Sequence, residues 1–177
     1  MMARSHKVIG VAAGFSAAVF LGEGSPFWVY LIAMFAGGFG SLVPDIDHRQ
    51  SKAGRAIPLL SWIVSSIFTH RGVTHSALIV AVMTWATYTY YPNVIIYAAI
   101  AGYASHIIAD MFTKSGVMLA WPVKDRFGIP LIATNSRFEP MIAGWIAVTL
   151  AALPFTSEIL GFISSTIMPL IHQTNII

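Results

Sequence analysis

The chain has 177 residues, of which 56% are hydrophobic and 10% charged, with a mean hydropathy of +0.74. An ordinary soluble domain carries roughly 25% charged residues, and this chain has too little polar surface to cover a globule of its size, so a soluble cytosolic domain and a disordered chain are both excluded. The net charge is +3, and the absence of cysteine rules out a disulfide scaffold, a thiolate metal site and a cysteine nucleophile.

The gaps between charges locate the helices in chain order. Uncharged runs cover residues 8–22, 24–44, 56–70, 72–109, 140–157 and 159–177. A spanning helix needs about 20 mostly apolar residues, range about 17–25. The run 72–109 is long enough for two helices, and Tyr91-Pro92-Asn93 in its middle reads as the turn between them. The spacing predicts helices over 6–22, 26–44, 73–90, 94–112, 140–156 and 159–172, the last interrupted by Pro169. The stretch 56–70 is read as interfacial or re-entrant.

Topology supports that reading. With 56–70 not spanning, the N-terminus, loop 45–72 and loop 113–139 fall on one side. They hold all ten bases: Arg4, Lys7, Arg49, Lys52, Arg55, Arg71, Lys114, Lys124, Arg126 and Arg137. The other side holds Glu23 and Glu158 and no base. The positive-inside rule then places the basic side, with the N-terminus, in the cytoplasm. Membrane-surface bases account for the net charge without a nucleic-acid partner, and they also attract anionic lipid headgroups. Nothing in the sequence speaks to oligomeric state.

The polar residues sort to that same side. His6 opens the first predicted helix, and Asp45, Asp47 and His48 close the second. His70 and His75 precede or open the third, and His106 and Asp110 close the fourth. In an antiparallel bundle these positions share one face. His106 and Asp110 are i and i+4 and so project from one side of their helix. His70 and His75, five apart, do not; His70 reads as loop and Thr74 or His75 as the first turn. Asp45 and Asp47, after Pro44, read as two carboxylates pointing different ways, of which only one need be a ligand. His172 stands alone near the C-terminus and reads as incidental.

Ionisable groups at membrane depth are costly and mark function. A convergent set of imidazoles and carboxylates suits a divalent ion: zinc first, with manganese or iron as alternatives, and one or two ions in all. Such an ion lowers the pKa of its water toward about 7 and polarises a phosphoryl or acyl oxygen. The expected ligands are His6, Asp47, His75, His106 and Asp110. Asp45, His48, His70 and Thr74 are expected to orient those ligands or to substitute for one of them. Asp45, Asp47, His70 and Arg71 are the candidate catalytic groups. Arg71 is suited to a phosphate oxygen through its planar fork, with Arg126 as a weaker second. Arg49 and Lys124 are likewise weaker phosphate candidates and read first as topology anchors. Ser76 follows His75, but no Gly-x-Ser-x-Gly elbow is present, so a serine hydrolase is a poor reading. The loop 113–139 is too polar to span and is expected to lie ordered over the active face, with Trp121 as an interfacial anchor.

These motifs, PDIDH at 44–48, HRGVTHS at 70–76 and HIIADMFTKSGV at 106–117 with a following Trp121-Pro122, together resemble the YdjM-like family. Its members are described as LexA-regulated inner-membrane proteins and candidate metal-dependent hydrolases. The resemblance runs from about His6 through Arg126. It places His6, Asp45, Asp47, His48, His70, Arg71, Thr74, His75, His106, Asp110, Thr113 and Gly116 at motif positions. More distantly, the order of His6, Asp45 or Asp47, His70 or His75, and His106 with Asp110 is similar to the zinc phospholipase C and single-strand nuclease superfamily. That superfamily uses further ligands downstream, which this chain lacks after Asp110, so the likeness implies one or two ions rather than three.

The expectation is one membrane-embedded, hydrolase-like domain, 1–177. Its fold class is an all-α polytopic bundle of five to six transmembrane helices with a re-entrant or interfacial segment. Its expected work is hydrolysis of a phosphoester in a phospholipid-like substrate at the cytoplasmic face of the inner membrane. The alternative is a non-catalytic membrane protein whose metal or polar cluster ties helix ends together. A small transporter is the weakest reading, because the ionisable groups gather at one face rather than mid-membrane.

Overall fold

The computed structural model describes residues 1–67, 72–123, 125–134, 136–156 and 160. Among these the protein is all-helical, with α1 Ala3–Leu21, α2 Phe27–Gly40, α3 Lys52–Ala56, α4 Pro58–Ile67, α5 Ala77–Tyr90, α6 Val94–Met111 and α7 Glu139–Ala152. Short 3-10 turns follow α2 (Pro44–Asp47), precede α5 (Val73–His75) and extend α7 (Leu153–Phe155). The predicted helix 159–172 lies outside the described residues apart from Leu160.

Several boundaries move for local reasons. The helix predicted over 26–44 stops at Gly40, and the chain tightens into the 3-10 turn that begins at Pro44, which has no N–H to continue the ladder. The helix predicted over 73–90 starts at Ala77. Thr74 and His75 sit instead in their own 3-10 turn, separated from α5 by the extended Ser76. The helix predicted over 140–156 gives way at Leu153, where Pro154 opens a 3-10 turn. The turn before α6 is as expected: the Asn93 side chain accepts from the backbone N–H of Ile95 at 2.8 Å and of Ile96 at 3.3 Å, an N-cap worth about 1 kcal/mol. Within the stretch 56–70, the described residues form a break and a second helix: α3 ends at Ala56, and α4 runs from Pro58 to Ile67.

The interior is built of small residues. A Cβ on Gly10 would strike the Ser41 side chain and the Gly37 carbonyl, one on Gly14 the Ala33 carbonyl, and one on Gly102 the Gly37 carbonyl. Backbones of α1, α2 and α6 therefore touch directly, in the manner of small-xxx-small packing between membrane helices. Gly10 and Gly14 provide that spacing on α1. Around this centre the buried apolar residues are mostly alanines, such as Ala18, Ala33, Ala98 and Ala109. The large apolar side chains point outward instead: Phe35 is 78% exposed, Phe27 74% and Trp145 69%.

By length and apolarity two helices among the described residues can cross a bilayer: Phe27–Asp47, taken with its 3-10 extension, and Val94–Met111. The helices α5 and α7 have 14 residues each, so each reaches about 21 Å against a hydrocarbon core of about 30 Å.

The chain ends of several elements meet at one end of the bundle. The start of α1 meets the start of α7, where the Met2 N–H donates to Glu139. The described residues between α6 and α7 also reach this end, where Ile132 packs with Met1, Ile9 and Ala109. They are pinned by an isolated parallel bridge between Thr113 and Ile132 and an antiparallel one between Val117 and Phe127. Gly116 turns the chain between them with φ +58°, a conformation that favours glycine.

Candidate metal centre

The glycine contact sets the spacing of the site. His6 lies one helical turn before Gly10 on α1, Ser41 one turn after Gly37, and His106 one turn after Gly102 on α6. Because the three backbones touch at the glycines, these three positions are delivered together one turn further on. The His6 and His106 rings stack with centroids 3.7 Å apart and planes 17° from parallel. His106 Nδ1 lies 2.6 Å from the Ser41 carbonyl oxygen. A carbonyl only accepts, so Nδ1 carries the proton and donates, and in the neutral ring Nε2 holds the lone pair.

That lone pair faces acids. His106 Nε2 stands 3.7 Å from Asp45 Oδ1 and 3.9 Å from Asp110 Oδ2, beyond hydrogen-bond reach of either. It has no hydrogen-bond partner and is fully buried, as is His6 Nδ1. Asp110 Oδ1 is held at 3.2 Å from His6 Nε2 and accepts from the amino group of Met1 at 2.8 Å. A buried nitrogen without a partner, aimed between two carboxylates, is an expensive arrangement by itself. A cation between those groups resolves it, so the residues fit a divalent ion.

The second half of the cluster comes from the two 3-10 turns. Thr74 Oγ1 donates its single hydrogen to Asp47 Oδ2 at 2.6 Å and lies 3.1 Å from His75 Nδ1, which is 3.4 Å from the same Asp47 oxygen. With the hydroxyl hydrogen committed to Asp47, Nδ1 of His75 is the donor, and its Nε2 bears the lone pair. The His75 ring meets His106 edge-on at 5.2 Å. Tyr103 on α6 fixes the turn from behind by donating its hydroxyl to the Thr74 carbonyl. A carboxylate holding the far nitrogen of a histidine is the usual arrangement behind a metal-ligating imidazole.

Two groups of potential ligand atoms result: His6 with His106 and Asp110, and Asp45 with His75 and His106, each lying within 4.8 Å of one another. His6, His75, His106 and Asp110 are at most 1% exposed. Asp45, with its side chain 22% exposed, is the open edge.

Five of the sequence-derived residues are thus gathered: His6, Asp45, His75, His106 and Asp110. The two carboxylates of the PDIDH motif do point different ways. Asp45 faces His106, whereas Asp47, 2% exposed, stands behind His75 with Thr74. His48 is exposed at the end of its 3-10 turn and belongs to neither group. Thr113 is buried and donates to the Asp110 carbonyl at 2.8 Å, tying the segment that follows to α6. Arg126 is exposed, its Nη1 donating to the Ser115 carbonyl at 3.2 Å. His70, Arg71, Lys124 and His172 lie outside the described residues.

Three contributors escape a reading of motifs. The Ser41 carbonyl that orients His106 is a backbone group at a helix end and has no side-chain signature. Tyr103, one residue from Gly102, looks like core filler in sequence. Glu139 is 0% exposed and holds the Met2 N–H. Its only sequence signal is that it stands as a lone acid, followed by Pro140, at the start of a long apolar run.

A sequence profile of the family described as YdjM inner membrane protein matches residues 1–173. The chain is 39% identical over 143 residues to a Bacillus subtilis protein carried under the name "Uncharacterized protein YvsG", covering 80% of this chain and 86% of that one. It is 38% identical over 97 residues to the inner membrane protein YdjM of Escherichia coli, covering 51% of this chain and 50% of that one, and equally to its counterpart in Shigella flexneri. No solved structure matches the chain significantly.

Proposed function

The chain belongs to the YdjM inner membrane protein family, and from its cluster of buried imidazoles and carboxylates we propose that it is a multi-pass, metal-dependent hydrolase. Its site face and N-terminus lie in the cytoplasm, and its substrate is a phosphoester of phospholipid type. The observation that carries the metal is His106 Nε2, a buried lone pair set between Asp45 and Asp110 with no hydrogen-bond partner. His6, His75 and the two acids complete an imidazole and carboxylate set that suits zinc, or manganese or iron. His106 belongs to both ligand groups, but its Nδ1 is committed to Ser41, so it has one nitrogen to give. This favours a single ion shared by the five residues; a second ion would have to bind without His106.

When bound, the ion supplies a nucleophilic water near neutral pH and polarises a phosphoryl oxygen. The remaining roles fall to the chain. Asp45, at the open edge, is placed to take a proton from an incoming water. Asp47 and Thr74 hold the His75 tautomer. The buried walls at His6 and Asp110 keep bulk water out. The orientation rests on the bases. Arg4 and Lys7 lie at the site end of α1, and Arg49, Lys52 and Arg55 lie beside the PDIDH turn. Such a distribution favours the cytoplasmic side. Five to six crossings are part of this proposal; the short α5 and α7 would have to be met by local thinning of the bilayer.

The test is turnover of a phosphatidate-like substrate by the purified protein, with Asp45→Asn and His106→Ala as variants. A fall of 100-fold or more in both, with folding retained, supports hydrolysis. A second reading, a structural ion that clamps helix ends, is favoured by one observation: all the ligand candidates except Asp45 are closed off from outside. It predicts bound metal, no turnover with any phosphoester, and unfolding on metal removal.

A further inference from the structure

Outside the metal centre, the least expected element is α4. In a water-facing helix the polar residues point out and the apolar ones in. Here the first two turns reverse that order. Ser61 is buried, whereas Leu59, Trp62 and Ile67 are 71%, 55% and 67% exposed. The helix has 10 residues, too few to cross a bilayer, and follows the break at Ile57. Such a helix is stable only where its outer face meets something apolar, and a short helix with Trp on that face suits the plane of the membrane interface.

Charge from the preceding chain lies against one edge of the same helix. A cleft of about 540 Å³ opens between α3 and α4, lined by Arg49, Gly54, Arg55, Pro58, Leu59 and Trp62. Two guanidiniums border it, and among the described residues neither is within ion-pair distance of a carboxylate. Arg49 is held in place against α4, its Nε donating to Ser65 Oγ at 2.7 Å and its Nη2 to Ser66 Oγ at 3.3 Å. Both hydroxyls are turned toward the Trp62 carbonyl, to which they donate at 3.1 and 2.6 Å. Their oxygens accept from Arg49, whose Nη1 makes no hydrogen bond among the described residues. The Arg55 side chain makes no hydrogen bond among the described residues.

We propose that this cleft binds the phosphate of an anionic membrane phospholipid, with Arg49 and Arg55 on the phosphate oxygens and Trp62 and Leu59 beside the glycerol and upper acyl carbons. Guanidinium is the side chain best matched to phosphate, because its fork offers two parallel donors. The positioning of two such groups next to exposed apolar side chains specifies a ligand that is anionic at one end and greasy at the other. A free phosphate would have no use for Trp62 and Leu59, and an acidic peptide none for the apolar face that continues to Ile67. The site does not depend on the metal centre, and it is read out without turnover.

The test is native mass spectrometry of the full chain in neutral detergent with dioleoyl phosphatidylglycerol, dioleoyl phosphatidylcholine, or inorganic phosphate added. Wild type is expected to retain phosphatidylglycerol over phosphatidylcholine. R49Q/R55Q is expected to lose about 25-fold in phosphatidylglycerol retention, at about 1 kcal/mol or fivefold for each of the two bases. R137Q, which removes one positive charge elsewhere and so matches R55Q alone, is expected to lose none. If the double variant fails to fold, R55Q alone carries the test, with an expected loss of about fivefold. Equal retention by wild type and variant overturns the proposal, as does an equal loss in R137Q. So do equal retention of phosphatidylcholine and saturation of the site by inorganic phosphate alone.

Discussion

His6 and His106 stack face to face, ring centroids 3.7 Å apart, at the ends of two helices that each press a glycine against the backbone of α2 at Gly37. The packing and the site are therefore one structure. The helix contact around Gly10, Gly37 and Gly102 leaves no room for a side chain, and one turn beyond it the imidazoles and the Ser41 carbonyl meet. A change in the packing is a change in the ligand geometry.

Gly102→Ala tests this coupling. Its Cβ would fall on the Gly37 carbonyl, and overpacking of this kind costs about 1–3 kcal/mol. The variant is expected to unfold at lower temperature and to bind metal more weakly, although residue 102 offers no ligand. Thermal unfolding and metal titration of the same preparation check both effects. A variant that loses stability but keeps wild-type metal affinity would separate the two.

Asp45 and Asp47 are expected to behave differently. Asp45→Asn removes a candidate ligand at the open edge and should abolish hydrolysis if the site is catalytic. Asp47→Asn leaves the ligands in place but loosens His75, and such outer partners contribute about 10–100-fold in metal affinity. Thr74→Val should resemble Asp47→Asn, since both act on the His75 Nδ1. Isothermal titration with zinc distinguishes the two classes; a ranking with Asp47→Asn as the more severe would assign the ligand to Asp47.

Much of this was legible from residue order. The i, i+4 spacing of His106 and Asp110 follows from the helical period, and the gathering of His6, Asp45 and His75 follows from alternating helix directions. The divergence of the two PDIDH carboxylates also follows, from Pro44 forcing a tight turn. What each carboxylate faces did not, because that depends on α6 and on the turn at Thr74, far away in sequence. The late start of α5 at Ala77 was hidden because Val73-Thr74-His75 reads equally well as a first helical turn. The glycine contact was present in sequence as Gly10 and Gly14, but pairing them with Gly37 and Gly102 needs three helices at once. The reading of His70 and Arg71 as catalytic falls outside the described residues.

Removal of the ion should destabilise the fold. A ligand present at 100 times its Kd adds about 2.7 kcal/mol to the folded state. Treatment with a chelator is expected to lower the unfolding temperature of the wild type and leave that of His106→Ala unchanged, and restored zinc should reverse the shift. An identical response of both proteins would mean that the chelator acts elsewhere.

The cysteine-free sequence makes topology directly accessible. Gln50→Cys and Lys114→Cys should react with an impermeant maleimide only when the cytoplasmic side is open, and Glu23→Cys should react from outside. Positions 23, 50 and 114 are all exposed, so burial does not confuse the result. Labelling of positions 50 and 114 from opposite sides would break the common face on which the metal centre depends.

The most direct measurement is the divalent metal content of the protein purified from metal-replete cells, wild type beside His106→Ala. A stoichiometric ion in the wild type and its loss in the variant is the predicted result. Wild-type protein that is folded, metal-free and unable to take up zinc, manganese or iron would contradict the account at its centre.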